Sequence, residues 1–341
     1  MIFDENPQLT VAIPAYNEQD IIAKTVSELI RALRLSSTIV SFEILVVDDG
    51  SRDATSQVIE QFQEYGDLVR LVRHHSNLGR GVAVRTAMGN FRGQVLVVAD
   101  ADLSYSAETV VDLATPILSG QADLSLASPY SPGGSVENVP FLRAAVSRLG
   151  NFVLRNAFRA TRPTSTAIAR GYSRELIESV SLMGFGKELN LELLYKAELL
   201  GYRIVDVPAI LRWPEERQKR EKRKGAKSLV SLGPVVRSHL LFQLVARPAV
   251  LFGFPIAIST VAFLFGLSSL LSAMFVRLVS GEPNPVRETL LDGSLTLAVT
   301  GFSFIVALLF TVIFFLVVQG KLYFEETFVF LTKILREVKR T

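Results

Sequence analysis

The segment FEILVVDDGS (residues 42–51) determines the kind of fold to expect from the first half of the chain. Its first six residues are apolar except for Glu43, and Asp48, Asp49, Gly50 and Ser51 follow directly after them. A short apolar run of this kind, bounded by turn-forming residues, is typical of a buried β-strand. The segment therefore predicts a strand that ends directly in a pair of carboxylates.

The same pattern recurs on both sides of this segment. Further strands are predicted at Leu9–Ile13, Leu68–Val72, Gln94–Ala99 and Leu124–Ala127. The residues between the strands have helical spacing, at Asp20–Leu35, Asp53–Tyr65, Gly79–Met88 and Ala107–Leu118. Alternating strands and helices are typical of an α/β fold, with a mostly parallel sheet covered on both faces. Ligands of such sheets bind at the carboxyl ends of the strands.

Three of the predicted strands end in polar or acidic residues, in IPAYNE (13–18), VVDDGS (46–51) and VVADADLS (97–104). In the last of these, Asp100 and Asp102 are one residue apart and can converge on one hard cation. Mg²⁺ and Mn²⁺ prefer such oxygen ligands and complete their shell with water and phosphate. The alternative is that Asp102 and Ser104 cap the helix predicted at Ala107.

The composition excludes several other classes of site. The chain has 341 residues and no Cys, so it has no disulfide framework, no Cys-based zinc site and no thiol nucleophile. Its three His residues leave little room for a His-rich metal centre. A carboxylate site for a hard cation remains the chemistry that the motifs favour.

Two long uncharged segments predict membrane spans. Residues 249–275 and 293–318 contain no charged side chain, and a span needs about 20 apolar residues. We expect a hairpin of two transmembrane helices, at about 248–276 and 293–318. Basic residues flank the hairpin on both sides, and positive charge stays on the cytoplasmic side of a membrane. The protein is thus expected to be integral to the cell membrane, with the catalytic domain and both termini cytosolic.

The segment 212–247 differs in charge from what precedes it. Residues 1–211 carry 19 Lys and Arg against 24 Asp and Glu, whereas residues 212–227 carry 8 against 3. An apolar helical pattern follows, with basic residues beside it, which favours a helix in the membrane interface. An ordinary amphipathic helix packed on the catalytic domain is the alternative. The predicted domains are 1–211 (catalytic), 212–247 (basic loop and interfacial helix), 248–319 (hairpin) and 320–341 (cytosolic amphipathic helix).

The motifs carry a family resemblance when they are taken together and in order. The set IPAYNE (13–18), VDDGSRDAT (47–55), NLGRG (77–81) and DADLS (100–104) resembles the inverting family 2 glycosyltransferases with the GT-A fold. Within that family the chain is most similar to the dolichol-phosphate mannose synthase group, which includes bacterial polyisoprenyl-phosphate glycosyltransferases. The resemblance covers about residues 8–230. It implies a Rossmann-like GT-A domain ahead of the hairpin.

The resemblance also implies roles for individual residues. Asp100 and Asp102 would hold Mg²⁺ or Mn²⁺ on the pyrophosphate, with Asp102 counted as catalytic. The residues implied to bind the nucleotide are Pro14, Tyr16, Glu18, Asp48, Asp49, Asn77, Gly79, Gly81 and Asp100. Asp48 and Asp49 would reach the base and ribose, and glycine would permit close backbone approach at Gly79 and Gly81. For these two glycines a plain turn into a helix is the alternative.

The acceptor side resembles the family less completely. The loop after Tyr130 and the segment containing Arg143 and Ser147 match the family's acceptor loop and following helix, and both residues are implied to be catalytic. Relatives often carry a basic residue where this chain has Pro129. The residues expected at the acceptor phosphate are Arg143, Ser147, Arg148 and Lys227. A surface helix charge is the alternative for Arg143, and the local order Gly-Ala-Lys-Ser around Lys227 departs from the family's Gly-x-Ser-Lys.

The implied reaction is transfer of a sugar from a UDP- or GDP-hexose to polyprenyl or dolichyl phosphate. Expected partners are the nucleotide-diphosphate sugar, polyprenyl phosphate, the lipid bilayer and a second copy of the chain through the transmembrane helices; no nucleic acid is expected. One alternative is a family 2 enzyme that extends a polysaccharide or glycolipid. Another is a membrane scaffold that retains a degenerate, non-catalytic transferase domain.

Overall fold

In the computed structural model, residues 6–139, 169–182, 184, 186, 189–212 and 248–340 are described. The chain divides into two units, residues 1–239 together with 329–341, and residues 240–328. The described part of the first unit carries the β-sheet, and the second unit is helical.

The first unit alternates strands and helices along most of its described length. Its strands are β1 (Leu9–Ala15), β2 (Phe42–Asp48), β3 (Val69–Arg73), β4 (Val95–Val98), β5 (Leu124–Ser128), β6 (Ser135–Glu137), β7 (Arg170–Ser173), β8 (Ile204–Pro208) and β9 (Ile210–Arg212). Its helices are α1 (Ile22–Leu35), α2 (Thr55–Glu60), α3 (Arg80–Asn90), α4 (Ala107–Leu118), α5 (Arg174–Ser179) and α6 (Leu189–Leu199).

The main sheet has seven strands in the order β3-β2-β1-β4-β7-β5-β8. Strand β7 runs antiparallel to its neighbours β4 and β5, and the other pairs are parallel. A separate parallel pair joins β6 to β9. The expectation of a mostly parallel α/β sheet is confirmed.

Apolar residues on both faces of the sheet are covered. Val11 and Ala12 on β1 point to opposite faces, and neither has exposed surface. Helices α1 and α4 pack together over one core, to which α1 contributes residues at helical spacing: Ile22, Val26, Leu29, Ile30 and Leu33. Helix α3 contacts β1 and β2. The strands that lead to the polar loops are therefore part of a well-packed core.

Several elements differ from the sequence-based predictions. The helix predicted over Asp53–Tyr65 is shorter, because α2 ends at Glu60 and a 3₁₀ segment, Gln61–Leu68, leads to β3. Strands β6 to β9 and helices α5 and α6 were not predicted. Strand β7 reads Arg-Gly-Tyr-Ser and has no apolar run, so hydropathy alone gives no strand signal there.

The second unit contains α7 (Pro248–Val279), α8 (Pro285–Asp292) and most of α9 (Ser294–Arg340). Two segments of these helices, Leu251–Val279 and Ser294–Thr332, are long and apolar enough to cross a membrane, and little of either is buried. The predicted connecting loop, 277–292, contains the short helix α8.

The predicted C-terminal helix, 320–341, is continuous with the second apolar helix rather than separate from it. No proline lies between residues 294 and 340, and a single glycine at 320 does not end a helix. The basic run, residues 217–227, and the predicted interfacial helix after it lie outside the described residues.

Candidate functional site

The ends of β2, β1 and β4 lie side by side at one edge of the sheet. Ala15 pairs with Asp48 in the β1–β2 register, and the amide of Asp49 donates to the carbonyl of Ala15 at 2.8 Å. On the other side of β1, the amide of Ala99 donates to the carbonyl of Ala12 at 2.9 Å. The three motifs that follow these strands are therefore brought together, as the sequence predicts.

The loops after β1 and β2 are joined by hydrogen bonds. The amide of Asn17 donates to Ser51 Oγ at 2.9 Å, the amide of Arg52 donates to Asn17 Oδ1 at 2.9 Å, and the amide of Glu18 donates to Thr55 Oγ1 at 2.8 Å. Asn17 adopts a positive φ of 55°, a region in which Asn is enriched. The ring of Tyr16 is left 37% exposed beside this joined pair of loops.

Asp48 is fully buried at the end of β2. One carboxylate oxygen accepts from the amide of Ser51 at 2.8 Å, and the other accepts from Ser56 Oγ. The second oxygen also lies 3.4 Å from Arg73 Nε. In this structure Asp48 shapes the turn after β2, and its contact with base or ribose stays a prediction.

Asp49 connects β2 to the loop before α3. Its carboxylate accepts from the amides of Leu78 at 2.9 Å and Gly79 at 2.8 Å, and lies 2.8 Å from His74 Nδ1. The other nitrogen of His74 lies 2.9 Å from Thr86 Oγ1 on α3. Gly79 has a φ of 96°, which other residues rarely adopt. Asp49 thus holds the segment Asn77–Gly81 in place at the same edge of the sheet.

Asp100 and Asp102 follow β4 at the centre of this edge. Asp100 is only 6% exposed, and its Oδ1 lies 2.5 Å from Arg80 Nη1. Its Oδ2 is buried and has no hydrogen-bond partner among the described residues. A buried carboxylate oxygen without a partner is costly, so this oxygen is a strong candidate for contact with a cation.

Asp102 organises the turn that follows. Its Oδ1 accepts from the amide of Ser104 at 3.1 Å and from Ser104 Oγ at 2.7 Å. Helix α4 begins after Ser106, which is its N-cap. The alternative in which Asp102 and Ser104 cap this helix is therefore wrong, because the cap position lies two residues beyond Ser104.

The residues present fit a hard divalent cation. Two carboxylates lie one residue apart, and one of them has a buried oxygen without a partner among the described residues. No group of three or more His, Asp or Glu suited to a metal occurs in the described part of the chain. A Mg²⁺ ion commonly uses one or two carboxylates, with water and substrate phosphate filling its other positions. Two carboxylates are thus enough for such an ion when water and a phosphate ligand complete its shell.

Buried polar residues beneath the edge were missed by the sequence analysis. Arg170 on β7 has no exposed surface, and its Nη1 donates to the carbonyl of Asn190 at 2.8 Å. Tyr105, just after Asp102, is buried as well. Burial raises the pKa of the Tyr105 phenol well above its usual value, and the charge of Asp100 raises it further. The phenol therefore stays protonated at neutral pH.

A short strand links the Asp102 loop to the start of the basic segment. The amide of Arg212, the last residue of β9, donates to the carbonyl of Ser104 at 2.8 Å. The Arg212 guanidinium lies 2.9 Å from Glu137 on β6. The chain therefore enters residues 213–247 from a point next to the loop that holds Asp102.

The described residues include only the beginning of the predicted acceptor region. After Pro129 and Tyr130, the amide of Gly134 donates to the carbonyl of Ser131 at 2.9 Å and closes a turn. The remaining predicted acceptor residues lie outside the described residues: Arg143, Ser147, Arg148 and Lys227.

Curated relatives resemble the first part of the chain. It is 30% identical over 203 residues to a dolichol-phosphate mannosyltransferase of Pyrococcus furiosus, a match that covers 59% of this chain and 55% of that protein. It is 32% identical over 205 residues to a polyprenol monophosphomannose synthase of Mycolicibacterium smegmatis, covering 58% of this chain and 75% of that protein. The match thus spans only about half the length of the archaeal relative.

A solved structure and a family model complete the comparison. The crystal structure of glucosyl-3-phosphoglycerate synthase from Mycobacterium tuberculosis aligns with a TM-score of 0.51 at 20% identity, over 70% of this chain and 79% of that chain. At this identity the likeness supports the fold alone. The model of the family described as "Glycosyl transferase family 2" matches residues 10–181. These residues contain all three strand-end motifs, and the chain belongs to glycosyl transferase family 2.

Proposed function

We propose that this protein transfers a hexose, with inversion, from UDP- or GDP-hexose to polyprenyl or dolichyl phosphate at the cytosolic face of the membrane. The observation that carries the proposal is the pair Asp100 and Asp102 at the edge where three loops of a family 2 domain meet, in a chain that also has two membrane-length apolar helices. The names of the two curated relatives support a polyprenol or dolichol phosphate as acceptor.

The nucleotide would lie along the joined loops after β1 and β2. Tyr16 offers an exposed ring there, and Pro14 and Glu18 border the same loop. The segment Asn77–Gly81, held by Asp49, would form the opposite wall. Because these loops are already fixed by hydrogen bonds in the protein, nucleotide binding would cost little loop ordering.

Asp100 and Asp102 are the residues that would hold Mg²⁺ or Mn²⁺. When bound, such an ion would neutralise charge that develops on the leaving diphosphate. The partnerless Oδ2 of Asp100 supports this assignment, and so does the fixed orientation of Asp102 by Ser104. The role of these residues is to place the diphosphate and to exclude other orientations of the donor.

The acceptor would need alignment more than activation. A phosphate monoester has a second pKa near 6, so it is largely deprotonated at neutral pH and needs no strong general base. Arg143, Ser147, Arg148 and Lys227 are proposed to hold that phosphate. The two apolar helices would keep the domain where a lipid phosphate meets cytosol, and each nearby Lys or Arg contributes about 1 kcal/mol of attraction to an anionic surface.

Two other functions fit the chain less well. Family 2 enzymes that extend polysaccharides usually carry a Gln-x-x-Arg-Trp motif, and here Leu211-Arg212-Trp213 has no such Gln. Arg212 instead pairs with Glu137. A degenerate scaffold is disfavoured because Asp100, Asp102 and the loops beside them are all present and brought together.

The proposal can be tested with the full-length protein in bilayers that contain polyprenyl phosphate. A panel of radiolabelled UDP- and GDP-sugars is supplied with Mg²⁺ or Mn²⁺, and the lipid product is analysed. Formation of a polyprenyl-phosphate sugar from one donor is expected. Growth of a polymer on added primer, or hydrolysis of the donor without lipid product, would contradict the proposal.

Arg143→Ala tests the acceptor side separately. Loss of a charge-assisted hydrogen bond costs about 1.5–3 kcal/mol, so acceptor efficiency should fall by about tenfold to a hundredfold. Arg203→Ala is a matched control, because Arg203 pairs with Asp123 at the opposite edge of the sheet. Kinetics with saturating donor and varied polyprenyl phosphate are measured. An effect confined to the donor would move the acceptor site elsewhere.

A further inference from the structure

Arg80 is in direct contact with Asp100 of the proposed metal site. It is the first residue of α3. Its guanidinium lies 2.5 Å from Oδ1 of Asp100. The side chain of Arg80 is 40% exposed, whereas that of Asp100 is 6% exposed. A partly solvated cation therefore covers one oxygen of a buried carboxylate.

We infer that Arg80 is a resident counter-cation that competes with the divalent metal for Asp100 and moves to the donor's diphosphate when the nucleotide sugar binds. The inference rests on the proposed function for the identity of the donor. It makes Arg80 a binding residue for the diphosphate and a determinant of the order in which metal and nucleotide bind.

The first argument is electrostatic. A guanidinium and a divalent cation on the same carboxylate repel each other, and the repulsion is poorly screened where the carboxylate is buried. Asp100 has only one further oxygen, which has no partner among the described residues. A metal that binds Asp100 therefore either tolerates Arg80 nearby or displaces it, and a displaced guanidinium gains energy by pairing with another anion.

The second argument is geometric. The backbone before Arg80 is fixed without help from Asp100, because Asp49 accepts from the amides of Leu78 and Gly79. The guanidinium can therefore leave Asp100 by side-chain rotation alone, with no movement of the loop. An arginine side chain has enough rotatable bonds and length for such a move.

The third argument is the nature of the second anion. Helix α3 begins at the carboxyl edge of the sheet, so the positive end of its dipole lies there. Arginine forms paired hydrogen bonds with phosphate oxygens. A diphosphate held against Asp100 and Asp102 would lie beside the same guanidinium. The donor's diphosphate is thus the anion that fits Arg80 once the metal has taken Asp100.

The proposed competition predicts that Arg80→Ala changes the affinity for Mn²⁺ and the affinity for nucleotide in opposite directions. In Arg80→Ala the metal no longer competes with a guanidinium, so Mn²⁺ should bind the nucleotide-free protein about tenfold more tightly. The same variant lacks a cation for the diphosphate, so UDP or GDP should bind about tenfold more weakly in saturating Mn²⁺. General damage to the site would weaken both.

The experiment uses the full-length protein in nanodiscs. Free Mn²⁺ is followed by electron paramagnetic resonance without nucleotide, and UDP and GDP are then titrated calorimetrically in excess Mn²⁺. Arg92→Ala is the matched control, because Arg92 pairs with Asp67 at the opposite edge of the sheet, and it should match the wild type in both titrations. Arg80→Lys, which keeps a cation, should bind Mn²⁺ nearly as the wild type does.

The inference is overturned if Arg80→Ala leaves Mn²⁺ binding unchanged or weakens it, or if nucleotide binding is unaffected. Absence of Mn²⁺ binding in both wild type and variant would overturn it as well. These titrations involve no lipid acceptor. Failure of the proposed transfer reaction would therefore appear only in the product assay, and the two failures can be told apart.

Discussion

The strands of the main sheet and the two long helices of the second unit are both highly apolar, but they differ in burial. Leu9, Val11 and Ile13 on β1 have no exposed surface. On the long helices, Phe254 is 72% exposed and Leu295 is 77% exposed. Burial of apolar surface contributes about 25 cal/mol per Å², so the sheet is stabilised by the chain itself. The apolar side chains of the two long helices stay largely exposed, and the helices are long and apolar enough to cross a membrane.

The two units also differ in the hydrogen-bond partners of their polar side chains. In the sheet unit, side chains at the strand ends bond to other loops, as Asp49 does with Leu78 and Gly79. In the long helix α9, Thr300 and Thr311 donate to carbonyls four residues earlier in the same helix. Hydroxyls that are satisfied within their own helix suit a medium without water. The comparison supports the proposal that the first unit carries the chemistry and that the long helices of the second unit anchor it.

Asp102→Asn should have the largest effect of these variants. It should lower the rate of sugar transfer without lowering the stability of the fold. The substitution keeps the size of the side chain but removes a negative ligand from the proposed metal site. Sugar transfer should fall by about a thousandfold, with the thermal midpoint nearly unchanged. Asp112→Asn, a carboxylate on α4 away from the edge, is the control. Near-normal turnover of Asp102→Asn in saturating Mg²⁺ or Mn²⁺ would reject the metal assignment.

Deletion of residues 248–341 removes both long apolar helices, together with residues 329–341 of the first unit. Nucleotide binding should persist, because the residues proposed to hold the nucleotide and the metal all lie before residue 105. Transfer to long-chain polyprenyl phosphate in bilayers should fall on the order of a hundredfold, since anchoring raises the effective concentration of the acceptor. A short-chain, water-soluble acceptor is the control and should lose much less. Equal activity of both forms on bilayers would show that the helices are not needed for acceptor access.

The predictable part of the molecule is the part in which local pattern and final burial agree. Strands β1 to β5 were predictable because each is a short, mostly apolar run, and the strand-end positions of Asp49, Asp100 and Asp102 were predictable because these residues follow such runs. Strand β7 was not predictable, because it contains Arg170, a residue type that is rarely buried. Arg170 is fully buried here because β7 lies between β4 and β5 in the sheet. Gly171 is explained by packing, because a Cβ there would collide with Ser125 and Ile117.

The pairing of Arg80 with Asp100 also could not be read from the sequence. The two residues are 20 positions apart, and each has a plausible local role, in the turn before α3 and in the loop after β4. The two residues meet only because β1, β2, β3 and β4 are parallel neighbours in the sheet. This order places the loop before α3 next to the loop after β4. Tertiary contacts between loops of this kind leave no periodic signal in the chain.

Gly266→Leu should disturb the packing of α7 against α9, at a cost of about 1–3 kcal/mol in free energy. A side chain at Gly266 would collide with Thr300, whereas one at Gly253 on the same helix would meet open space. Gly253→Leu is therefore the matched control. The chain has no Cys, so the paired substitutions Phe263→Cys and Phe304→Cys, at rings whose centroids lie 5.2 Å apart, report the contact by oxidative cross-linking. Equal cross-linking in both leucine variants would contradict the packing.

Asp123→Asn should have the smallest effect of these variants, a decrease in the melting temperature whose size depends on pH. Asp123 accepts from Arg203 Nε at 3.0 Å, from Nη2 at 2.9 Å and from the Arg203 amide at 2.9 Å. The hydrogen bonds from Arg203 lower the pKa of Asp123 below its usual value, against the effect of burial. A carboxylate whose pKa is lowered by folding stabilises the protein above its unfolded pKa, about 3.9, and this stabilisation is lost as pH falls through the folded value.

The wild type should therefore melt slightly above Asp123→Asn at about pH 7, and the difference should shrink as the pH falls below about 4. The difference is small because Arg203 is mostly solvated and exposed ion pairs are screened. Asp67→Asn is the control, since Asp67 is 90% exposed and lies 3.7 Å from Arg92, and it should melt with the wild type at both pH values. Asp123 precedes β5 in the sheet, so the effect should appear in the melting of the first unit, while cross-linking between the introduced cysteines of the helical unit stays unchanged. A difference between wild type and Asp123→Asn that grows as pH falls would reverse the assigned pKa direction.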